Sequence, residues 1–171
     1  DEVTGQEMYP PNTSEVVLYI SCPQGSNYVT IEENDTQFTL AVTSYPNKVS
    51  VRVQYSADSY YSRTLYPEQS NTYLLTFYLV DAYQYPLDRI DFVMQDSNYY
   101  NARLQVYKEI SNQTVIISEG YFDASHTLSE YLMEDTDYYL RTLNPDGTYT
   151  EFGIISVVEP ATKNLGKQTI N

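Results

Sequence analysis

Tryptophan is absent from this sequence, cysteine and histidine each occur once, and only 9 bases stand against 23 acids. Each shortage closes off a kind of chemistry. The single thiol, Cys22, excludes an internal disulfide and any cysteine-rich metal site. Lying before Pro23 at the end of an apolar run, it reads as a structural thiol, buried or partly buried. Hydrolysis of the Ser-His-Asp kind would have to use His126, and that residue falls in a turn between Ser125 and Thr127, where it reads as solvent-exposed. The 6 glycines are scattered, with no G-x-G-x-x-G or phosphate-loop pattern. Carboxylates are plentiful enough for a glycosidase pair, yet Trp, a common aromatic platform of sugar-cleaving clefts, is missing. A net charge of −14 repels phosphates, so neither nucleic acid nor an anionic membrane surface fits as a partner. No apolar run approaches the roughly 18 residues of a membrane-spanning helix, which argues against direct membrane insertion. The sequence opens on Asp1 rather than Met, as a processed form or a fragment would.

What the chain has in quantity is tyrosine: 20 of its 171 residues, with 5 Phe, in a sequence that is 42% hydrophobic. Tyr joins an apolar ring to a polar tip and suits half-buried sheet faces and protein interfaces. Apolar residues alternate with a period of two along "EVVLYIS" (15–21), "NYVTIEE" (27–33), "TQFTLAVT" (36–43) and "KVSVRVQYS" (48–56). The segments "YYSRTLY" (60–66) and "NTYLLTFYLV" (71–80) follow, the second continuous enough for a central strand buried on both faces. A second series comprises "RIDFVMQ" (89–95), "NARLQVYKEI" (101–110), "QTVIISEGYF" (113–122), "TLSEYLM" (127–133), "DYYLRTL" (137–143) and "TYTEFGIISVV" (148–158). Turn chemistry separates them: "DSNY", "SN", "DASH", "EDT" and "NPDG". No segment sustains the helical spacing, so the expectation is an all-β chain of about twelve strands arranged as sandwiches.

The octapeptide "YYSRTLYP" (60–67) returns as "YYLRTLNP" (138–145), identical at six of eight positions. Downstream, "YLVDA" (78–82) and "SVVEPA" (156–161) keep the same offset, while upstream the two halves fall out of phase. Two homologous modules account for this, and so do two unrelated modules whose late strands end alike. Either way the expected organisation is an N-terminal arm (1–14), a first module (15–81), a second module (88–158) and a C-terminal arm or linker (159–171). The junction falls near 81–88, where Pro86 would not serve mid-sheet. Polar, Pro-containing ends of this kind suit linkers or arms that reach a neighbour's sheet edge.

The stretch from "YLVDAYQYPL" through "ARLQVYKEISNQTVIISEGYFDASHTLSEYLMEDTDYYLRTL" resembles the transthyretin-like, carboxypeptidase-regulatory-like and prealbumin-type, Ig-like sandwich modules. The matching features are a strand leading to a Pro-Leu turn, the "ARLQVYK" strand, "EGYFD" running into a turn, and the "LSEYL" and "DTDYYL" return. The resemblance covers about residues 74–158. One departure is His126, which stands where those modules usually place the Gly of an Asp-x-x-Gly turn. Taken together with the repeat and the polar ends, the resemblance makes the expected fold two tandem, small, antiparallel Ig-like or transthyretin-like β-sandwich modules with polar terminal arms. It also implies a non-catalytic scaffold role, in modules that recur in extracellular, S-layer-associated and viral surface proteins.

Candidate sites are few. Acidic turns "END" (33–35), "LDRID" (87–91), "DSN" (96–98) and "DTD" (135–137) offer oxygen ligands, and a structural calcium would fall best on Asp135 and Asp137; no other cofactor is expected. Asn12, Asn34 and Asn112 open glycosylation triplets. Lys108 could form a Lys–Asn isopeptide bond only if buried beside Asn and an acid, and it reads instead as an outward, solvated side chain. Tyr60, Tyr61, Tyr83, Tyr85, Tyr99 and Tyr100 are the candidates for interface contacts or ligand stacking. The expected function is non-enzymatic: a structural module of a surface assembly, such as a virion spike, turret, decoration or tail protein, or an extracellular filament subunit. Its partners would be copies of itself or other structural proteins, on a virion, a cell surface or outside the cell. The alternative is an adhesin or carbohydrate-binding module whose loop tyrosines stack on a glycan.

Overall fold

The computed structural model describes residues 1–5, 16–22, 25–31, 50–55, 60–61, 63–66 and 76–166. The chain divides into two compact units, Asp1–Ala82 and Tyr83–Asn171. The predicted strand at 36–43 lies outside the described residues, as do Asn12 and Asn34.

In the first unit, β1 (Val16–Cys22), β2 (Gly25–Ile31), β3 (Ser50–Tyr55) and β4 (Arg63–Leu65) form one antiparallel sheet in the order β2-β1-β3-β4. The antiparallel β1–β2 pairing runs up to Cys22↔Gly25, and the expected turn residues between them lie outside the described residues. The expected central strand at 71–80 is corrected over its described part: residues 76–80 form no strand. Their main chain makes single contacts instead. Tyr61 N–H donates to the Val80 carbonyl at 3.2 Å, and Asp81 bridges Tyr60 in an isolated antiparallel pair. Leu79 and Val80 are buried, so the apolar run reported burial rather than ladder pairing.

The start of the chain is also corrected, since residues 1–5 are not a free arm. Asp1 Oδ1 accepts from the N–H groups of Val3 and Thr4 and folds the first residues into a turn. Glu2 N–H then donates to the Leu79 carbonyl at 2.7 Å. Its carboxylate meets Arg63 Nη2 at 3.0 Å, with both side chains 0% exposed. The Arg63 guanidinium lies 5.1 Å from the centre of the Tyr61 ring. A charge pair removed from water in this way holds together only while both partners are present.

The second unit is a sandwich of two sheets. One has the order β10-β9-β6-β7, built from β6 (Arg103–Ile110), β7 (Gln113–Tyr121), β9 (Thr136–Leu143) and β10 (Tyr149–Val157). The other has the order β11-β5-β8, from β5 (Leu87–Met94), β8 (Thr127–Met133) and β11 (Ala161–Leu165). The pairs are antiparallel except β11 with β5, which is parallel. Two expectations are corrected by that last strand: the module is not wholly antiparallel, and 161–165 is no arm or linker. Leu165 supplies the reason, since it is buried at 1% exposure and anchors β11 beside β5.

Alternation sorts each strand into an inner and an outer face. Ile90, Phe92 and Met94 of β5, Leu104 and Val106 of β6, Tyr138 and Leu140 of β9, and Val157 of β10 are buried. Gly120 lets the sheets approach: a Cβ there would stand 2.6 Å from Leu128 Cδ1. Tyr138 fills the core without leaving a polar orphan, because its hydroxyl oxygen accepts from Met133 N–H at 3.1 Å. Lys108 corrects the sequence reading. It shares the inward phase of Leu104, Val106 and Ile110, is buried, and sets Nζ 5.5 Å from the Tyr138 ring centre.

The turns behave as their chemistry dictates. Ser111 and Asn112 join β6 to β7 with φ of 51° and 62°, both in the left-handed region that a two-residue type I′ hairpin demands. In the β9–β10 turn Gly147 takes φ 86°, and Asp146 Oδ1 accepts from Thr148 N–H at 2.9 Å. His126 has φ 62°, which explains why a glycine is the ordinary occupant of such a position. Asp123 holds that turn, its Oδ1 accepting from the N–H groups of Ser125 and Thr127.

Two stability measurements follow from these features. Glu2→Gln removes the carboxylate that Arg63 pairs with and is expected to cost the first unit about 3 kcal/mol in urea unfolding, most of it recovered when both residues become Met. Replacing Ser111-Asn112 by Asn-Gly places the preferred residues in the left-handed turn and is expected to raise stability by about 1 kcal/mol.

Candidate interaction surface

The outer face of the four-stranded sheet carries the densest set of functional side chains among the described residues. Register places them in three rows across the strands. The middle row runs Glu119 (β7), Gln105 (β6), Arg141 (β9), Glu151 (β10). On one side lies Tyr121, Arg103, Leu143, Tyr149, and on the other Ile116, Tyr107, Tyr139, Ile154. Residues directly opposite on neighbouring strands have Cβ atoms close enough to interact, so each row acts as a unit.

Hydrogen bonds run along the middle row. Gln105 Nε2 donates to Glu119 Oε1 at 2.6 Å, and Arg141 Nε donates to Gln105 Oε1 at 2.7 Å. Arg103 Nε adds an ion pair with Glu119 Oε1 at 3.2 Å. The Arg141 guanidinium is clasped by two rings, 4.8 Å from the Tyr107 centre and 4.4 Å from that of Tyr149. Such stacking suits the planar, weakly hydrated guanidinium and would not be reproduced by Lys. Tyr107 also stacks on Tyr139 at 5.4 Å and donates its hydroxyl to Glu151 Oε2 at 2.7 Å. Desolvation, and then the bond to the Glu151 carboxylate, push the Tyr107 phenol up to about 12.

The face is graded. Arg103, Gln105 and Glu119 are buried on the β6–β7 side. Toward β10 the surface opens: Tyr149 is 54% exposed, Ile154 48%, and Val158, just past the strand, 69%. β10 is an edge strand of its sheet, interrupted by a bulge between Glu151 and Gly153. An edge strand with no further neighbour among the described residues, flanked by exposed apolar side chains, is a surface that can take another chain.

The residues singled out from sequence are distributed elsewhere. Tyr60 and Tyr61 are half-buried in the first unit, and desolvation followed by the nearby Asp81 charge raises the Tyr60 phenol. Tyr99 meets Phe152 edge-on at 5.2 Å. Tyr100 stacks flat on His126, 3.6 Å between centres and 8° between planes, so the imidazole is half-buried rather than solvent-exposed. Tyr85 is half-buried, and Tyr83 alone of the six presents its ring openly, at 87% exposure. Asn112 is exposed in its hairpin turn, and Cys22 ends β1 opposite Gly25. Asp135 sits in a left-handed turn and Asp137 is the second residue of β9, where it accepts from the Ser156 hydroxyl. Among the described residues no three His, Cys, Asp or Glu side chains gather in a metal-holding group. Tyr107, Arg141 and Tyr149 were missed. Their outward phase on β6, β9 and β10 was readable, but the register that aligns them was not.

No protein-family model matches this chain, and neither does any curated protein. Among solved structures, the chain is similar to the group B streptococcus pilus 2b backbone protein, at 14% identity and a TM-score of 0.27. The match covers 96% of this chain and 83% of that one. At that score no role is read from it. The second unit is a β-sandwich, as the transthyretin-like resemblance implies, and the described chain is all-β apart from a single 3-10 turn at Ser97–Tyr99.

The Tyr107 phenol gives a direct check on the clasp. Its pKa is raised above that of the unfolded chain, so the stability it contributes is complete below pH 10 and is lost as pH rises through about 12. NMR titration of ring-labelled tyrosines is expected to show one resonance titrating near 12 that vanishes in Tyr107→Phe.

Proposed function

We propose that this chain is a non-enzymatic structural module of a surface assembly, joined to copies of itself or to other structural proteins through the β10 side of its four-stranded sheet. One observation supports the reading above others. Tyr149, Ile154 and Val158 are exposed apolar side chains on or just past an edge strand, interspersed with Glu151 and Ser156 and beside the half-buried Tyr107, Tyr139 and Arg141. Aromatic rings and arginine held in fixed rotamers are what protein interfaces use as anchors, since little entropy is lost on contact. The rings of Tyr107 and Tyr149 are already ordered by Arg141. Among the described residues no strand pairs with β10 on the side away from β9, the side a partner's strand would take in this reading.

An extracellular, cell-surface or virion setting belongs to the same proposal, as does a place among the transthyretin-like modules. The lone imidazole, stacked on Tyr100, does not favour hydrolytic chemistry. The alternative of a glycan-binding module draws its support from Tyr83, whose ring is open.

Size-exclusion chromatography with light scattering, together with negative-stain microscopy, tests the proposal. The protein is expected to self-associate or to assemble with its structural partner, and Ile154→Asp with Tyr149→Ser is expected to weaken that association about tenfold or more. Assembly unaffected by those changes would overturn the reading. So would a monomer that binds glycans on an array and loses them in Tyr83→Ala.

A further inference from the structure

A pair of acids at one end of the second unit stands apart from the sheet face described above. β5 and β8 pair with Asp88 opposite Leu132 and Leu87 opposite Met133. Glu134 N–H donates to the Pro86 carbonyl at 2.9 Å and carries the pairing one residue further. Asp88 and Glu134 are therefore diagonal neighbours on one face of the ladder. On β5 that face is the core side, the one that buries Ile90, Phe92 and Met94. Asp88 is 7% exposed, and its Oδ2 is buried with no hydrogen-bond partner.

The surroundings make this costly. Asp135 follows Glu134 in a turn pinned by Asp135 N–H to the Val157 carbonyl at 2.8 Å. The charges acting on Glu134 are those of Asp88 and Asp135, both acids. A carboxylate taken out of water without a donor, beside a second carboxylate, needs either a shared proton or a cation. In a chain of net charge −14 the cation relieves more of the repulsion, because it neutralises both groups and not one.

We propose that Asp88 and Glu134 form the core of a binding site for a hard divalent cation, calcium by preference, closing the end of the sandwich where β5 begins and β8 ends. Calcium takes six to eight oxygens in flexible geometry, which suits a site completed by main-chain carbonyls and water. No third acid, His or Cys completes a group with them among the described residues. Two carboxylates place the affinity in the weak class of extracellular modules, with Kd of about 10⁻⁴–10⁻³ M. This site differs from the Asp135 and Asp137 pair expected from sequence, in which Asp137 is bound to Ser156.

The test uses the whole chain. Its melting temperature is compared in about 10 mM calcium chloride and in EDTA at equal ionic strength, and a rise of about 5 °C or more is expected. Glu134→Gln and Asp88→Asn are each expected to abolish the rise, and Asp137→Asn to keep it. No rise in the unaltered protein overturns the proposal, as does a rise that survives in Glu134→Gln. If Asp88→Asn fails to fold, terbium luminescence sensitised by tyrosine decides on the unaltered protein and Glu134→Gln. A loss of about tenfold in bound terbium signal upholds the site, and an unchanged signal overturns it.

Discussion

Burial of one face of β6 and β9 against β5 and β8 is the constraint from which the second unit's other features follow. Tyr138 shows what it demands, because a fully buried phenol must find a partner and does so in Met133 N–H of the opposite sheet. The same cross-sheet logic binds the Ser118 hydroxyl to the Glu130 carboxylate and sets Leu128 against the bare Cα of Gly120. Once that face is inward, the alternate residues of the same strands have only one place to go. Arg103, Gln105, Tyr107, Tyr139 and Arg141 are thereby gathered on the outside, where they organise one another.

On that outer face polar groups bind one another across the strands. Glu119 receives both Gln105 and Arg103, Gln105 in turn accepts from Arg141, and the guanidinium is held by two rings. A face so connected is ordered before any partner arrives. The reactive-looking groups of the chain are likewise occupied in structure: His126 in a left-handed turn against Tyr100, Lys108 over Tyr138, and Glu2 against Arg63. At the Asp88–Glu134 pair an acceptor is left over, since among the described residues Asp88 Oδ2 has no donor.

Much of the second unit was legible because its strands alternate cleanly and its turns carry specific chemistry. "TLSEYLM" is β8 residue for residue, and "DYYLRTL" misses only the first residue of β9. Ser111-Asn112 and Asn144 to Gly147 turn where their composition says they must. The misreadings have separate causes. Residues 76–80 are apolar enough for a buried strand, but hydrophobicity reports burial and not which main chain lies alongside. Lys108 was assigned by residue type, although its phase with Leu104, Val106 and Ile110 already placed it inside. "EPATKNL" looked like a linker because β11 is mostly exposed and shows one buried side chain, Leu165.

The sequence by itself determined a β protein, the positions of most strands in the second unit, and the inner or outer face of most residues on them. These are local properties, set by a period of two and by backbone torsions within a few residues. Tertiary structure decided what meets across strands distant in the chain. The row Glu119, Gln105, Arg141, Glu151 draws on four strands, the parallel docking of β11 on β5 spans much of the unit, and Asp88 meets Glu134 only through β5–β8 pairing. Register of that kind is fixed by the fit of whole faces in the core, and no short stretch of sequence carries it.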